Sequence, residues 1–89
     1  MDRIFTVSNR YQLYYKLWDQ GQRYYDAICH LVPFDPENDP LRNYIEERFP
    51  NAVDACEVND LFAYYVDEVL NYFSISEDDF VNAVNAIKD

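Results

Sequence analysis

At 89 residues, 49% hydrophobic and 18% aromatic, the chain has the apolar mass for one small folded domain, which excludes a disordered polyelectrolyte. Seventeen acids against seven bases give a formal net charge of −10. That balance argues against nucleic acid or an anionic membrane as a direct partner, because phosphates need Lys and Arg to neutralise them, and it favours a basic protein.

Residues 1–7 are short and mixed; Ile4, Phe5 and Val7 are expected to fold back on the core, and Ser8 can cap the first helix. From 9 to 32 the helical signal is strongest. Tyr11, Tyr14, Tyr15, Leu17, Trp18, Tyr25, Ile28, Cys29 and Val32 recur at three- and four-residue steps, opposite Gln12, Lys16, Asp19, Arg23, Asp26 and His30. Asp19–Arg23 and Asp26–His30 are acid-before-base pairs four apart. The register runs unbroken through Gly21, which predicts one long helix with a close packing contact at Gly21; the alternative is two helices hinged there.

Pro33, Pro36 and Pro40 make 33–40 a stiff loop, and Asp39-Pro40 supplies an N-cap followed by proline at the first helical position. Leu41, Tyr44, Ile45 and Phe49 give a short helix its apolar side, and Pro50 ends it. Residues 51–57 are read as a turn of helix leading into a longer one over 59–73, capped by Asn59. Val58, Leu61, Phe62, Tyr65, Val66, Val69, Leu70, Tyr72 and Phe73 share one half of its wheel. Glu57, Asp60, Tyr64, Asp67, Glu68 and Asn71 fall in a separate arc of roughly 100°. Ser74-Ile75-Ser76 breaks the helix. Ser76 and Asp79 resemble a capping box, and Ile75 and Phe80 a hydrophobic staple, for a last helix that buries Phe80, Val81, Ala83, Val84 and Ile87. The expected fold is all-α: a four- to five-helix bundle forming a single acidic domain over 1–89. Leu17, Trp18, Ile28, Leu61, Val69 and Val84 are expected in its core.

Charge distinguishes the two parts of the chain. Residues 51–89 hold nine acids and one base and so carry eight of the ten net negative charges.

Metal and catalytic chemistry fit poorly. Asp35, Glu37, Asp39, Asn43 and Glu46 follow EF-hand spacing, but Pro40 stands where the calcium loop needs a glycine. Cys29, His30 and Cys56 are the only soft ligands and form no zinc-binding pair motif; both cysteines, set among apolar residues, are expected to be buried free thiols. No Gly-rich phosphate loop is present, and carboxylates on exposed helix faces lack the burial that would raise a pKa into a catalytic range. None of Ser8, Ser74 and Ser76 has the context of a carrier-protein serine. No enzyme activity, metal or cofactor is expected. The start of the chain lacks a signal-peptide pattern and no apolar run reaches the length of a membrane span, so a soluble cytoplasmic setting is expected.

The candidate partner-binding residues are Glu57, Asp60, Tyr64, Asp67, Glu68, Glu77, Asp78 and Asp79. Carboxylates three and four apart on a helix stand about 5–6 Å from each other, near the spacing of successive phosphates on one strand. The residues therefore point to a small inhibitor that imitates nucleic-acid charge and blocks a basic nucleic-acid-binding enzyme or effector. In size and charge the chain resembles phage anti-CRISPR and anti-restriction proteins, a likeness of type rather than of motif. The alternative is a protein-interaction module, such as an immunity protein, an antitoxin or a regulatory adaptor, that binds through its tyrosines. Neutralising Asp60, Asp67 and Glu68 is expected to leave stability nearly unchanged, or to raise it slightly by relieving repulsion between like charges.

Overall fold

The computed structural model describes residues 10–49 and 54–87. Six helical segments and no strand occur among them: α1 Arg10–Tyr14, α2 Asp19–Leu31, α3 Pro40–Arg48, α4 Ala55–Tyr64, α5 Val66–Tyr72 and α6 Glu77–Ile87. The all-α class stands, but six segments replace the four or five expected, because both long helices are interrupted. The arm containing Ile4, Phe5, Val7 and Ser8, the terminating Pro50 and residues 51–53 of the 51–57 turn lie outside the described residues.

Residues from all six helices meet in one apolar core: Leu13 from α1; Tyr25, Ala27 and Ile28 from α2; Leu41, Tyr44 and Ile45 from α3; Val58, Leu61 and Phe62 from α4; Val69 from α5; Phe80 from α6. The second helix is the central one, packed against both α4 and α6. Edge-on ring pairs lock these contacts, Tyr25 against Phe62 at 5.1 Å and Tyr24 against Phe80 at 5.0 Å. Neighbouring tyrosines of one helix point in different directions, so these pairs place α4 and α6 on different sides of α2.

The helix expected over 9–32 breaks at Trp18, three residues before the glycine. Lys16 N–H bonds Leu13 C=O and Leu17 N–H bonds Tyr14 C=O in tight turns that end α1. Trp18 is extended, and Asp19 restarts the chain at φ 50°. The cause lies on another helix. Asn59 is not the cap of a helix but a buried residue within α4, and its Oδ1 accepts the Trp18 N–H at 3.0 Å. Gly21 is what lets Asn59 in: a Cβ there would meet Asn59 Oδ1 and lie 2.8 Å from its backbone oxygen. The close contact expected at Gly21 is therefore present, inside an unbroken α2. The break turns Tyr11, Tyr15 and Trp18 to solvent, against the expectation that they face the core; Trp18 is 42% exposed.

The acidic helix breaks in the same way. Gln20 Nε2 donates to Ala63 C=O at 2.8 Å and takes the carbonyl that an Asp67 N–H would bond in a continuous helix. The interruption falls at Tyr65, with φ −124° and ψ 28°, and α5 begins without a side-chain cap. Two carboxamides at the crossing of α2 and α4 thus each end a helix. The true start of α4 is Asp54, whose Oδ1 accepts the Cys56 N–H at 2.9 Å in a capping box with Glu57.

The remaining caps follow the sequence. Asp39 Oδ1 accepts the Leu41 N–H with Pro40 at the first helical position, and Ser76 Oγ accepts the Asp79 N–H at 3.1 Å. Asp26 and His30 pair at 3.6 Å. Val84 and Ile87 pack on the core as expected, but Val81 is exposed, because the face of α6 that meets α2 is centred on Phe80.

α5 ends in a Schellman arrangement without its usual glycine. Ile75 N–H bonds Leu70 C=O at 2.9 Å, Ser74 N–H bonds Asn71 C=O at 3.3 Å, and Ser74 takes φ 56°. A serine there carries the Cβ cost of the left-handed region. Ser74→Gly should raise stability by about 0.5–1 kcal/mol, the relief of that strain less the entropy of a freer unfolded chain. A urea melt checks this through an increased midpoint at unchanged slope.

Candidate functional site

All eight candidate residues are on the surface: Glu57, Asp60 and Tyr64 on α4, Asp67 and Glu68 on α5, and Glu77, Asp78 and Asp79 on α6. Glu57, Asp60 and Tyr64 follow steps of three and four along α4 and share its outer stripe. The single wheel that placed Asp67 and Glu68 in the same arc assumed helical angles through Tyr65, which the chain does not have. The continuous row expected from periodicity becomes three short groups, each opening or lining its own helix.

Position on those helices changes the electrostatics. Glu57 lies in the first turn of α4, Asp67 and Glu68 in that of α5, and Glu77, Asp78 and Asp79 in that of α6; of the acids, Asp60 alone sits in mid-helix. Carboxylates at helix starts are stabilised by unpaired backbone N–H groups and the positive end of the dipole. Glu57 is further engaged, its Oε2 accepting the Asp54 N–H at 3.4 Å. Glu68 stands 3.5 Å from Arg48, a pair about half exposed and therefore weak. Among the described residues it is the one member of the set paired with a base. Asp67 and Glu68 lie where the dipole of α5 favours negative charge, so neutralising them is expected to cost a little stability rather than none.

The tyrosines are arranged less predictably. Tyr64 is 73% exposed, and the helix break turns its neighbour Tyr65 outward as well, at 54%, although the wheel had put Tyr65 on the core side. Tyr72, also placed on the core side, is 57% exposed, with its ring against Tyr44 at 4.5 Å and Phe73 at 4.9 Å. Away from these residues, a concavity of about 800 Å³ is lined by Tyr11, Tyr14, Tyr15, Tyr25 and Phe34 together with Arg10 and Asp26.

The other candidate chemistries are occupied by structure. Asp39, central to the calcium-like spacing, is buried and held by Arg10 and the Leu41 N–H, while Asp35 Oδ1 accepts the Glu37 N–H. No group of three His, Cys, Asp or Glu side chains among the described residues could hold a metal ion. Burial pushes the half-buried Cys29 thiol up to about 11, so it stays protonated and poorly nucleophilic at neutral pH. Cys56 is exposed rather than buried, because it lies on the outer side of α4; partial desolvation and the charges of Asp54 and Asp60 raise its pKa as well. No described helix is long and apolar enough to cross a membrane.

No known protein family, curated protein or solved structure matches the chain. What it does must be read from its own surface. The feature missed in the sequence is Tyr65; the contact behind it runs from Gln20, an exposed residue in the first turn of α2, and left no local signal near Tyr65.

Proposed function

We propose that the chain is a small, non-enzymatic inhibitor that presents nucleic-acid-like negative charge to a basic nucleic-acid-binding enzyme or effector, of the phage anti-CRISPR or anti-restriction type. The observation that carries this reading is the exposed carboxylate set on three helices. Of Asp60, Asp67, Glu68, Glu77, Asp78 and Asp79, only Glu68 has a basic partner among the described residues. Such groups face water and are poised to exchange it for Lys and Arg.

The test is a triple variant, Asp60→Asn, Asp67→Asn and Glu68→Gln. A target captured from host or infected lysate should bind it far more weakly, with each desolvated contact worth about 1 kcal/mol or more. Wild-type affinity should fall at least about 10-fold as salt rises from about 50 to about 200 mM. The variant should melt slightly earlier, losing about 1 kcal/mol, since two of the three charges sit at the start of α5.

The second reading, a protein-interaction module such as an immunity protein, antitoxin or adaptor, is favoured by the outward-facing Tyr64, Tyr65 and Tyr72. It predicts a shallow salt dependence and little effect of the triple variant.

A further inference from the structure

The interruption at Tyr65 lets α5 pack Val69 into the core, but it leaves Tyr65 itself outside. A continuous helix would bury Tyr65 beside Leu61 and Val69, satisfy the Ala63 carbonyl within the backbone, and need no new helix start. Instead Gln20 holds that carbonyl at 2.8 Å, α5 starts uncapped, and two adjacent phenol rings stand in water at 73% and 54% exposure. Neighbouring residues of one helix diverge by about 100°; with Tyr65 off helical angles, both rings stand exposed rather than one turning to the core.

Their surroundings indicate what would cover them. Asp60 precedes Tyr64 by one turn on α4, Asp67 and Glu68 follow at the start of α5, and residues 51–89 hold eight of the ten net negative charges. An apolar or acidic partner would leave those carboxylates desolvated and unpaired. A cation resolves both demands, and ring faces discriminate between cations. A guanidinium is planar, weakly hydrated and able to stack on a phenol while its N–H groups reach a carboxylate; an ammonium is a compact, strongly hydrated point charge.

We propose that Tyr64 and Tyr65, flanked by Asp60, Asp67 and Glu68, form an arginine-selective contact patch for the basic partner. This rests on the reading of the chain as an acidic inhibitor and adds that the partner's contact groups are arginines rather than lysines. The Gln20–Ala63 hydrogen bond acts as the positioning contact that keeps the two rings outward.

Two peptides of equal length and charge, (Gly-Arg)6 and (Gly-Lys)6, are titrated into the full chain at low salt, with affinity read by calorimetry and tyrosine resonances by NMR. The arginine peptide should bind about 5-fold or more tightly than the lysine peptide and shift the Tyr64 and Tyr65 ring signals. In the Tyr64→Leu/Tyr65→Leu variant that preference should vanish while the salt-sensitive binding common to both peptides remains. Equal affinities in the wild type, or a preference that survives in the double variant, would overturn the arginine patch and leave the acidic-inhibitor reading standing. Binding of neither peptide would overturn both.

Discussion

Replacing Arg10 with methionine should lower the melting temperature by more than about 10 °C, the largest effect expected from any single surface-proximal change in this chain. Arg10 connects three parts of the fold. Its Nε and Nη2 reach both carboxylate oxygens of Asp39 at 2.9 and 2.6 Å. Its Nη1 bonds the carbonyls of Cys29 and Val32 at 3.0 and 2.7 Å, and Nη2 that of Pro33 at 2.8 Å. The guanidinium therefore caps the C-terminal end of α2 while its partner caps the N-terminal end of α3. Tyr25 adds a return contact, its hydroxyl donating to the Arg10 carbonyl at 3.0 Å. With side-chain exposures of 11% and 3%, the Arg10–Asp39 pair is close to dry. Removing Arg10 leaves a buried carboxylate without its counter-charge and the part-buried Cys29 and Val32 carbonyls without a donor, a loss of about 3–5 kcal/mol. A folded chain of this size has only about 4–13 kcal/mol in total. Arg10→Lys should fall between the two, since an ammonium keeps the charge but cannot reproduce the fork. A methionine variant that melts within a few degrees of wild type would show that the pair is not the pin described.

The second large effect is expected at Gly21. Alanine is the better helix former by about 1 kcal/mol, so Gly21→Ala would stabilise an exposed helix. Here the added methyl group meets Asn59, and its 2.8 Å approach to the Asn59 backbone oxygen cannot be relieved by a side-chain rotation. Relief requires α2 and α4 to move apart, which would loosen the Asn59–Trp18 and Gln20–Ala63 hydrogen bonds that lie at the same crossing. Overpacking against backbone should exceed the propensity gain and leave a net loss of at least about 2 kcal/mol, measured by chemical denaturation. A neutral or stabilised Gly21→Ala would mean that the two helices are not in the contact described.

These two residues also mark where the sequence stops being legible. Local signals were readable: the Asp39-Pro40 start of α3, the Ser76–Asp79 cap, the need for a glycine at position 21, and the polar arc that kept Asp60, Asp67 and Glu68 outside. The helix breaks were not, because neither is encoded where it occurs. Trp18 and Tyr65 fit their helical wheels, and they leave them where Asn59 and Gln20, more than forty residues away in each case, bond the groups concerned; at the first break Gln22 Nε2 also takes the Tyr14 carbonyl at 3.0 Å. A pairing such as Arg10 with Asp39, 29 residues apart, has no local trace either. One cap has a local pattern that competes with a stronger-looking one. Asp54-x-x-Glu57 is a capping-box pattern, but Asn59 stood closer to the apolar run and drew the helix start to itself. The consequence for the candidate site is specific. Which acids are exposed, and that Glu77, Asp78 and Asp79 open a separate helix, could be read from the sequence, whereas the split of Asp67 and Glu68 from Glu57 and Asp60 and the outward turn of Tyr65 required the tertiary contact.

Charge mimicry is decided by displacement. A fluorescent oligonucleotide is bound to the captured target, and the chain is titrated in at fixed salt while polarisation is followed. Mimicry predicts that wild type releases the oligonucleotide at stoichiometric or near-stoichiometric concentrations, and that the Asp60→Asn, Asp67→Asn, Glu68→Gln variant, shown by circular dichroism to be folded, does not. Binding of the chain with the oligonucleotide still in place, or release by the triple variant as efficient as by wild type, would contradict it.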